Sequence, residues 1–281
     1  MDIESALWKI KCRMKGRNWK HNLRFPPSFR VCQENDHLEF KTLNGNSTSG
    51  VLAQTMEDTQ SGECNLLLSG PSINTLENPS LLGKRYTIAV NGSPELLLKY
   101  GVTCNAYVVS DRAFLRRRTM DFLRYARCAG HCFLPYDSIM ALLNTGVQID
   151  DVRICVFDRS KRPFHKYRRI WKDPYFARSF SYGLGSYETI AYIALQVAYC
   201  LGFRKVYIFG MDLSLEGRFY QEEQKEPQRL HKRWDTGIIE PLTLVGNMVA
   251  KGEWTVINCS PDSRLPESIL PKMDPNQALS L

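Results

Sequence analysis

Residues 65–72 read Asn65-Leu66-Leu67-Leu68-Ser69-Gly70-Pro71-Ser72, a short apolar run stopped by small and polar residues. A run this short with no polar alternation suits a strand buried on both faces, and the Gly-Pro step that follows suits a turn. The same arrangement recurs along the chain. Thr87 to Val90 runs into Asn91-Gly92-Ser93, and Ala106 to Val109 into Ser110-Asp111-Arg112. Val152 to Phe157 forms a further run, Lys205 to Phe209 leads to Gly210-Met211-Asp212, and Trp254 to Ile257 leads to Asn258-Cys259-Ser260-Pro261. Helical patterns separate the runs, and the clearest places Ile190, Ile193, Ala194, Val197 and Leu201 on one stripe, with Ser186 as its N-cap and Gly202 at its end. Strands alternating with crossover helices predict an α/β fold, doubly wound on a mainly parallel, Rossmann-like sheet.

In such a sheet ligands bind outside the carboxyl ends of the strands. The candidate binding residues are therefore Ser69, Gly70, Pro71, Ser72, Asn91, Ser110, Gly210 and Asp212, with Asp111 beside them. Any one of these loops is also ordinary turn chemistry, and their recurrence at four strand ends is what argues for a crevice. Gly183-Leu184-Gly185-Ser186 precedes the best helix, where free N–H groups and the positive dipole end would suit a phosphate at Gly185 and Ser186. Neither G-x-G-x-x-G after the first strand nor G-x-x-x-x-G-K-[ST] is present, which disfavours a dinucleotide oxidoreductase or a P-loop NTPase.

The 281 residues carry a formal charge of +8, concentrated in two places. One is an N-terminal arm with Lys9, Lys11, Arg13, Lys15, Arg17, Lys20, Arg24 and Arg30 around Trp8 and Trp19; the other runs from Arg159 to Arg178 among aromatic residues. Residues 33–63, rich in Asn, Ser, Thr, Gly and acids, read as an irregular connector. The expected division is thus a basic extension and polar connector over 1–62 and a packed domain over 63–281. Nine scattered cysteines, an odd number, suit a reducing compartment without structural disulfides. Cys128, His131 and Cys132 lack a second ligand pair at zinc-site spacing, so no metal is expected. The sequence shows no apolar run of about 20 residues and no signal-peptide pattern at Met1-Asp2-Ile3-Glu4, which predicts a cytoplasmic protein.

The pieces taken in order resemble the CMP-sugar glycosyltransferases related to bacterial sialyltransferases, and more closely the Kdo (3-deoxy-octulosonic acid) transferases of the lipopolysaccharide core. The resemblance spans about residues 65–261. It is carried by Leu67 to Ser72, Ile88 to Ser93, Val108 to Arg112 with Phe114, Ser181-Tyr182-Gly183, Thr189-Ile190-Ala191, Tyr199 to Asp212, and Arg218-Phe219-Tyr220. It implies a sialyltransferase-like fold and transfer of a 2-keto sugar acid from its CMP adduct, CMP-Kdo, with inversion and no metal or other cofactor. By position, Gly70 to Ser72 and Asn91 match residues contacting the nucleotide and its phosphate. Gly210 and Asp212 match the strand end lining cytidine and ribose, Tyr220 a tyrosine on the leaving phosphate, and Thr189 a serine at the junction of donor and acceptor. His231, about thirty residues before Cys259-Ser260-Pro261, falls near the family's catalytic histidine and is the first candidate base; Asp111 is the second.

The implied partners are a CMP-sugar donor, an anionic lipopolysaccharide acceptor and the inner-leaflet surface of the bacterial inner membrane, which the basic segments would meet as a peripheral protein. Nucleic acid is not expected. A sialic or other nonulosonic acid transferase is the nearest alternative, and a basic RNA-binding module or an inactive scaffold of the same fold are the alternatives of another class.

Overall fold

The computed structural model describes residues 29–159, 175–187, 189–213, 218–219 and 234–281, together with Leu7 and Ile10. Among these, ten strands form one sheet: β1 (Phe29–Glu34), β2 (His37–Thr42), β3 (Ser47–Leu52), β4 (Glu63–Leu67), β5 (Tyr86–Val90), β6 (Ala106–Val108), β7 (His131–Pro135), β8 (Ile154–Phe157), β9 (Lys205–Phe209) and β10 (Thr255–Asn258). Their spatial order is β1-β2-β3-β8-β7-β6-β5-β4-β9-β10. The pairs β1–β2 and β2–β3 are antiparallel and every other pair is parallel. The expected α/β class with a mainly parallel sheet is the observed one.

The short apolar runs become central strands because both of their faces are covered. Along β4, Cys64 and Leu66 point to one core and Leu67 to the other. The first core is closed by α5 (Ile190–Leu201) and α6 (Glu240–Ala250). The second is closed by α1 (Pro94–Lys99), α2 (Arg112–Arg117), α3 (Thr119–Cys128), α4 (Tyr136–Leu143) and α7 (Pro275–Ser280). Helices on both faces are what doubly wound means. The strand series runs one way from β4 to β8 and the other way through β9 and β10, so the topological switch point lies between β4 and β9.

Residues 33–63 depart from the expectation of an irregular connector. β1 to β3 form an antiparallel meander that joins the parallel sheet through Val51 opposite Cys155 and Leu52 opposite Val156. Asn35, at φ 53°, turns the first hairpin in the left-handed region that Asn tolerates. Leu38 and Phe40 are buried while His37, Glu39 and Lys41 are exposed. This is a strand period with one wet face, and its polar half disguised it. β7 is a further strand beyond those expected.

The helix expected from Ser186 begins at Ile190 instead. Thr189 is its cap, its side chain accepting from the Ala191 N–H at 3.2 Å, and Gly202 closes it at φ 109° as expected. Gln196 explains the delay. Its buried amide accepts from the N–H groups of Ala177 and Gly185 and donates to the Gly185 carbonyl, which holds the preceding segment off the helix axis.

Candidate functional site

At the switch point the loops after β4 and β9 are bonded directly to each other. The Leu68 N–H donates to the Phe209 carbonyl at 2.8 Å and the Gly70 N–H to the Gly210 carbonyl at 2.9 Å. Glycine is required at both places. A side chain on Gly70 would overlap the Asp212 carboxylate and come within 2.6 Å of the Gly210 carbonyl, and Gly210 itself sits at φ 75°. With the backbones this close, Ser72 donates to Asp212 twice, from its N–H to Oδ1 at 3.2 Å and from its hydroxyl to Oδ2 at 2.8 Å.

The end of β10 completes this corner. Ser260 Oγ lies 2.9 Å from Ser72 Oγ and accepts from the Met211 N–H at 3.0 Å; Ser263 Oγ donates to the Met211 carbonyl and the Arg264 N–H to the Asp212 carbonyl. Ser260 and Ser263 were not among the expected site residues, although Ser260 follows the last apolar run as Ser69, Ser93 and Ser110 follow theirs. The Ser69 carbonyl accepts from the Phe219 N–H at 3.1 Å, which sets Phe219 against the loop. Asp212 is 6% exposed, and burial raises its carboxyl above the ordinary carboxylate value; the Ser72 hydrogen bonds oppose that rise and Asp262 adds to it.

Asn91 stands at the end of neighbouring β5 with φ 47°. Its carbonyl accepts from the Tyr107 hydroxyl at 2.7 Å, and its side-chain Oδ1 is buried without a hydrogen-bond partner. An acceptor left in that state at a strand end is suited to a ligand N–H or O–H. Buried Ser93 fixes the turn, accepting from the Val90 N–H and donating to the Leu67 carbonyl.

A second polar knot lies at the ends of β6 and β8. Arg159, only 9% exposed, donates from Nη2 to the Ser110 carbonyl at 2.7 Å, from Nη1 to Ser186 Oγ at 2.6 Å and from Nε to Asp137 Oδ1 at 3.2 Å. Arg112 Nε reaches the other Asp137 oxygen at 3.4 Å. Two expected donor residues, Ser110 and Ser186, are thus joined by a cation that the sequence placed in a solvated or membrane-facing basic segment. Burial corrects that reading for Arg159, while Arg178 is exposed and pairs with Glu253.

Three of the N–H groups expected to be free before α5 bond within the protein. Gly183 donates to the Phe180 carbonyl, Leu184 to the Asp158 carbonyl and Gly185 to Gln196 Oε1. A side chain on Gly185 would strike the Tyr175 carbonyl, so packing explains this glycine without a phosphate. Asp111 is exposed and caps α2, accepting from the Ala113 N–H at 2.8 Å. His231 and Tyr220 lie outside the described residues, as do most of the two basic segments.

Direct hydrogen bonds therefore join Gly70 to Gly210 and Ser72 to Asp212, with Ser69 and Pro71 in the same loop, and Arg159 unites Ser110 and Ser186. Asn91 stands between the two groups. Because β9, β4, β5 and β6 are neighbours and parallel, their ends share one rim, about 14 Å from first to fourth at the usual strand spacing. Among the described residues no group of three or more His, Cys, Asp or Glu is placed to hold a metal ion, and no helix is long and apolar enough to cross a membrane.

Residues 47–144 match the family model described as 3-deoxy-D-manno-octulosonic acid transferase WaaZ. The "Probable 3-deoxy-manno-octulosonic acid transferase" of Salmonella typhimurium is 29% identical over 256 residues, covering 80% of this chain and 91% of the relative. Among solved structures, the MAf glycosyltransferase from Magnetospirillum magneticum AMB-1 aligns at a TM-score of 0.49 with 15% identity. The alignment covers 78% of this chain, which spans only 34% of that protein. The sialyltransferase CstII from Campylobacter jejuni, solved with the substrate analogue CMP-3FNeuAc, aligns at 0.43 with 12% identity, covering 78% of this chain and 88% of CstII. Through the segment that builds β3 to α4 the chain is similar to the WaaZ 3-deoxy-D-manno-octulosonic acid transferase family, and along most of its length to a relative described as a probable 3-deoxy-manno-octulosonic acid transferase.

Proposed function

We propose that the protein transfers Kdo from CMP-Kdo to a hydroxyl of the lipopolysaccharide inner core, with inversion and without a metal. The observation that carries the reading is the corner where Ser72, Asp212 and Ser260 meet at the switch point, with the bare Asn91 acceptor one strand away. That corner offers carboxylate and hydroxyl oxygens to a ribose, and Asn91 offers an acceptor for an exocyclic or hydroxyl proton. Similarity to the Kdo transferases supports the sugar, and the strand-end motifs support the nucleotide.

In this reading the acceptor hydroxyl attacks the anomeric carbon, the bond from that carbon to the phosphate oxygen breaks, and CMP leaves with the bonding pair. The hydroxyl proton passes to a base, His231 first and Asp111 second. Inversion follows from a single displacement. Tyr220 would donate to the leaving phosphate. The basic segments would hold the enzyme at the anionic inner leaflet, each Lys or Arg contributing about 1 kcal/mol there.

Incubating the protein with CMP-Kdo and truncated lipopolysaccharide cores, then weighing the products, tests the assignment. A mass gain of one Kdo that persists in EDTA is the expected result. Calorimetry that detects no heat with CMP refutes the nucleotide half, and transfer from CMP-sialic acid in preference to CMP-Kdo replaces the sugar half.

A further inference from the structure

A cleft of about 200 Å³ opens on the same rim, past the Arg159 knot, where the antiparallel wing meets β8. Gln33 comes from the wing, Gln54 from the 3-10 turn Ala53–Met56 that follows β3, Tyr136 from the start of α4, Phe157 and Asp158 from the end of β8, and Ser181 from the turn Phe180–Tyr182. It is smaller than the roughly 300–1,000 Å³ of sites for drug-sized ligands, and so of a size for one ring. Its lining pairs an aromatic face with two amides, a carboxylate and a hydroxyl, groups that together both accept from and donate to vicinal hydroxyls.

Position ties the cleft to the site already described. Asp158 is the chain neighbour of Arg159, whose guanidinium holds Ser110 and Ser186. From β4 to β8 the rim crosses four strand spacings, about 19 Å, and β5 to β7 lie between. A nucleotide seated at the switch point would lay its phosphate and sugar along those intervening ends, with the cleft beyond.

We propose that this cleft is the subsite for the hydroxyl-bearing ring of the acceptor saccharide, built in part by the β1–β3 wing. The proposal rests on the glycosyl-transfer reading, with the donor at the switch point. Tyr136 supplies the apolar wall and is itself braced edge-on by Phe40 of β2, so the wing fixes the wall as well as contributing Gln33, while the turn after β3 adds Gln54. Asp158 and Gln54 hold hydroxyls, and Ser181 forms the exposed lip.

The test uses the full chain and two probes in calorimetry, CMP and a deacylated core oligosaccharide. Ser181→Trp fills the cleft from an exposed position, so the fold is spared; Asp158→Asn removes the charge but keeps the shape. Oligosaccharide affinity is expected to fall at least about tenfold in both variants while CMP affinity stays within about twofold of wild type. Oligosaccharide binding that survives Ser181→Trp overturns the subsite, as does a wild type that binds CMP but no oligosaccharide. A wild type that binds oligosaccharide in a Ser181-dependent way but ignores CMP keeps the subsite and refutes the donor assignment alone.

Discussion

Replacing Ser72 by Ala tests the switch-point corner, because it removes one hydroxyl and leaves Asp212 with the Ser72 N–H. A hydrogen bond to a charged group is worth about 1.5–3 kcal/mol and one between neutral groups about 0.5–1.5. The cost of Ser72→Ala must therefore depend on whether Asp212 is ionised. Burial raises the Asp212 carboxyl above its ordinary value and the Ser72 bond counteracts this, so losing the bond raises it further. The sign follows from proton uptake. A carboxyl whose folded value is raised binds more protons folded than unfolded across that window, so stability falls as pH rises through it. The variant's window extends higher, so its deficit against wild type grows through the Asp212 titration and is constant above it.

At neutral pH a deficit near 2 kcal/mol lowers Tm by about 4–8 °C in a domain of this size, and below the titration the fall is about half as large. Thermal melts of both proteins at several pH values between 3.5 and 8 measure it. A Tm difference that does not change with pH shows that the lost bond was not made to the carboxylate, and the account of this corner then fails.

Arg159→Met leaves Asp137 buried without its closest cation and is expected to cost about 3–5 kcal/mol in denaturant melts, whereas Arg159→Met with Asp137→Leu costs less than the sum of the two single changes. Asp111→Asn keeps the helix cap and Asp111→Ala loses about 1 kcal/mol of stability. If Asp111 is the base, both slow turnover at least about tenfold, and if only stability responds the residue is a cap. Burial pushes the thiols of Cys104, Cys155 and Cys259 up to about 12 and raises those of Cys64, Cys132 and Cys200, while Cys32 and Cys128 are exposed. A thiol reagent followed by peptide mapping should label Cys32 and Cys128 in the native protein and the six buried residues only after denaturation; native labelling of Cys132 or Cys155 would contradict the packing of β7 and β8.

What could be read from the sequence follows the physics of burial. β4, β5, β6, β8 and β9 lie between two cores, so they appear as unbroken apolar runs, and their shared direction places their polar ends on one rim. Ser72 and Asp212 could thus be named from separate loops 140 residues apart, even though their hydrogen bonds could not. β1 to β3 bury one face, and their exposed Glu39 and Lys41 alternate with buried Leu38 and Phe40, which looks like a polar connector when composition is read before period. Arg159 was hidden for a different reason. A cation in a basic run reads as surface, and only the long-range approach of Asp137 and Ser110 makes its burial tolerable.

The two polar knots divide the rim by the kind of contact that makes them. The switch-point corner rests on backbone bonds between adjacent loops, with no room for a side chain at Gly70, and the Ser72, Asp212, Ser260 and Ser263 side chains join on that frame. The Arg159 knot is built from the side chains of Arg159, Asp137, Arg112 and Ser186 and the Ser110 carbonyl, and sits beside strands that an antiparallel wing has extended. A fixed corner suits the half of a substrate that stays the same from one reaction to another, which for a sugar nucleotide is the nucleotide. On the glycosyl-transfer reading, the cleft beyond the knot, lined by side chains that can change, suits the half that varies, which is the acceptor. Exchanging residues in the wing and in the turn that follows it should therefore move acceptor preference before it moves donor preference, and the opposite ordering in a panel of Gln33 and Gln54 variants would mean that the polarity of the rim has been assigned backwards.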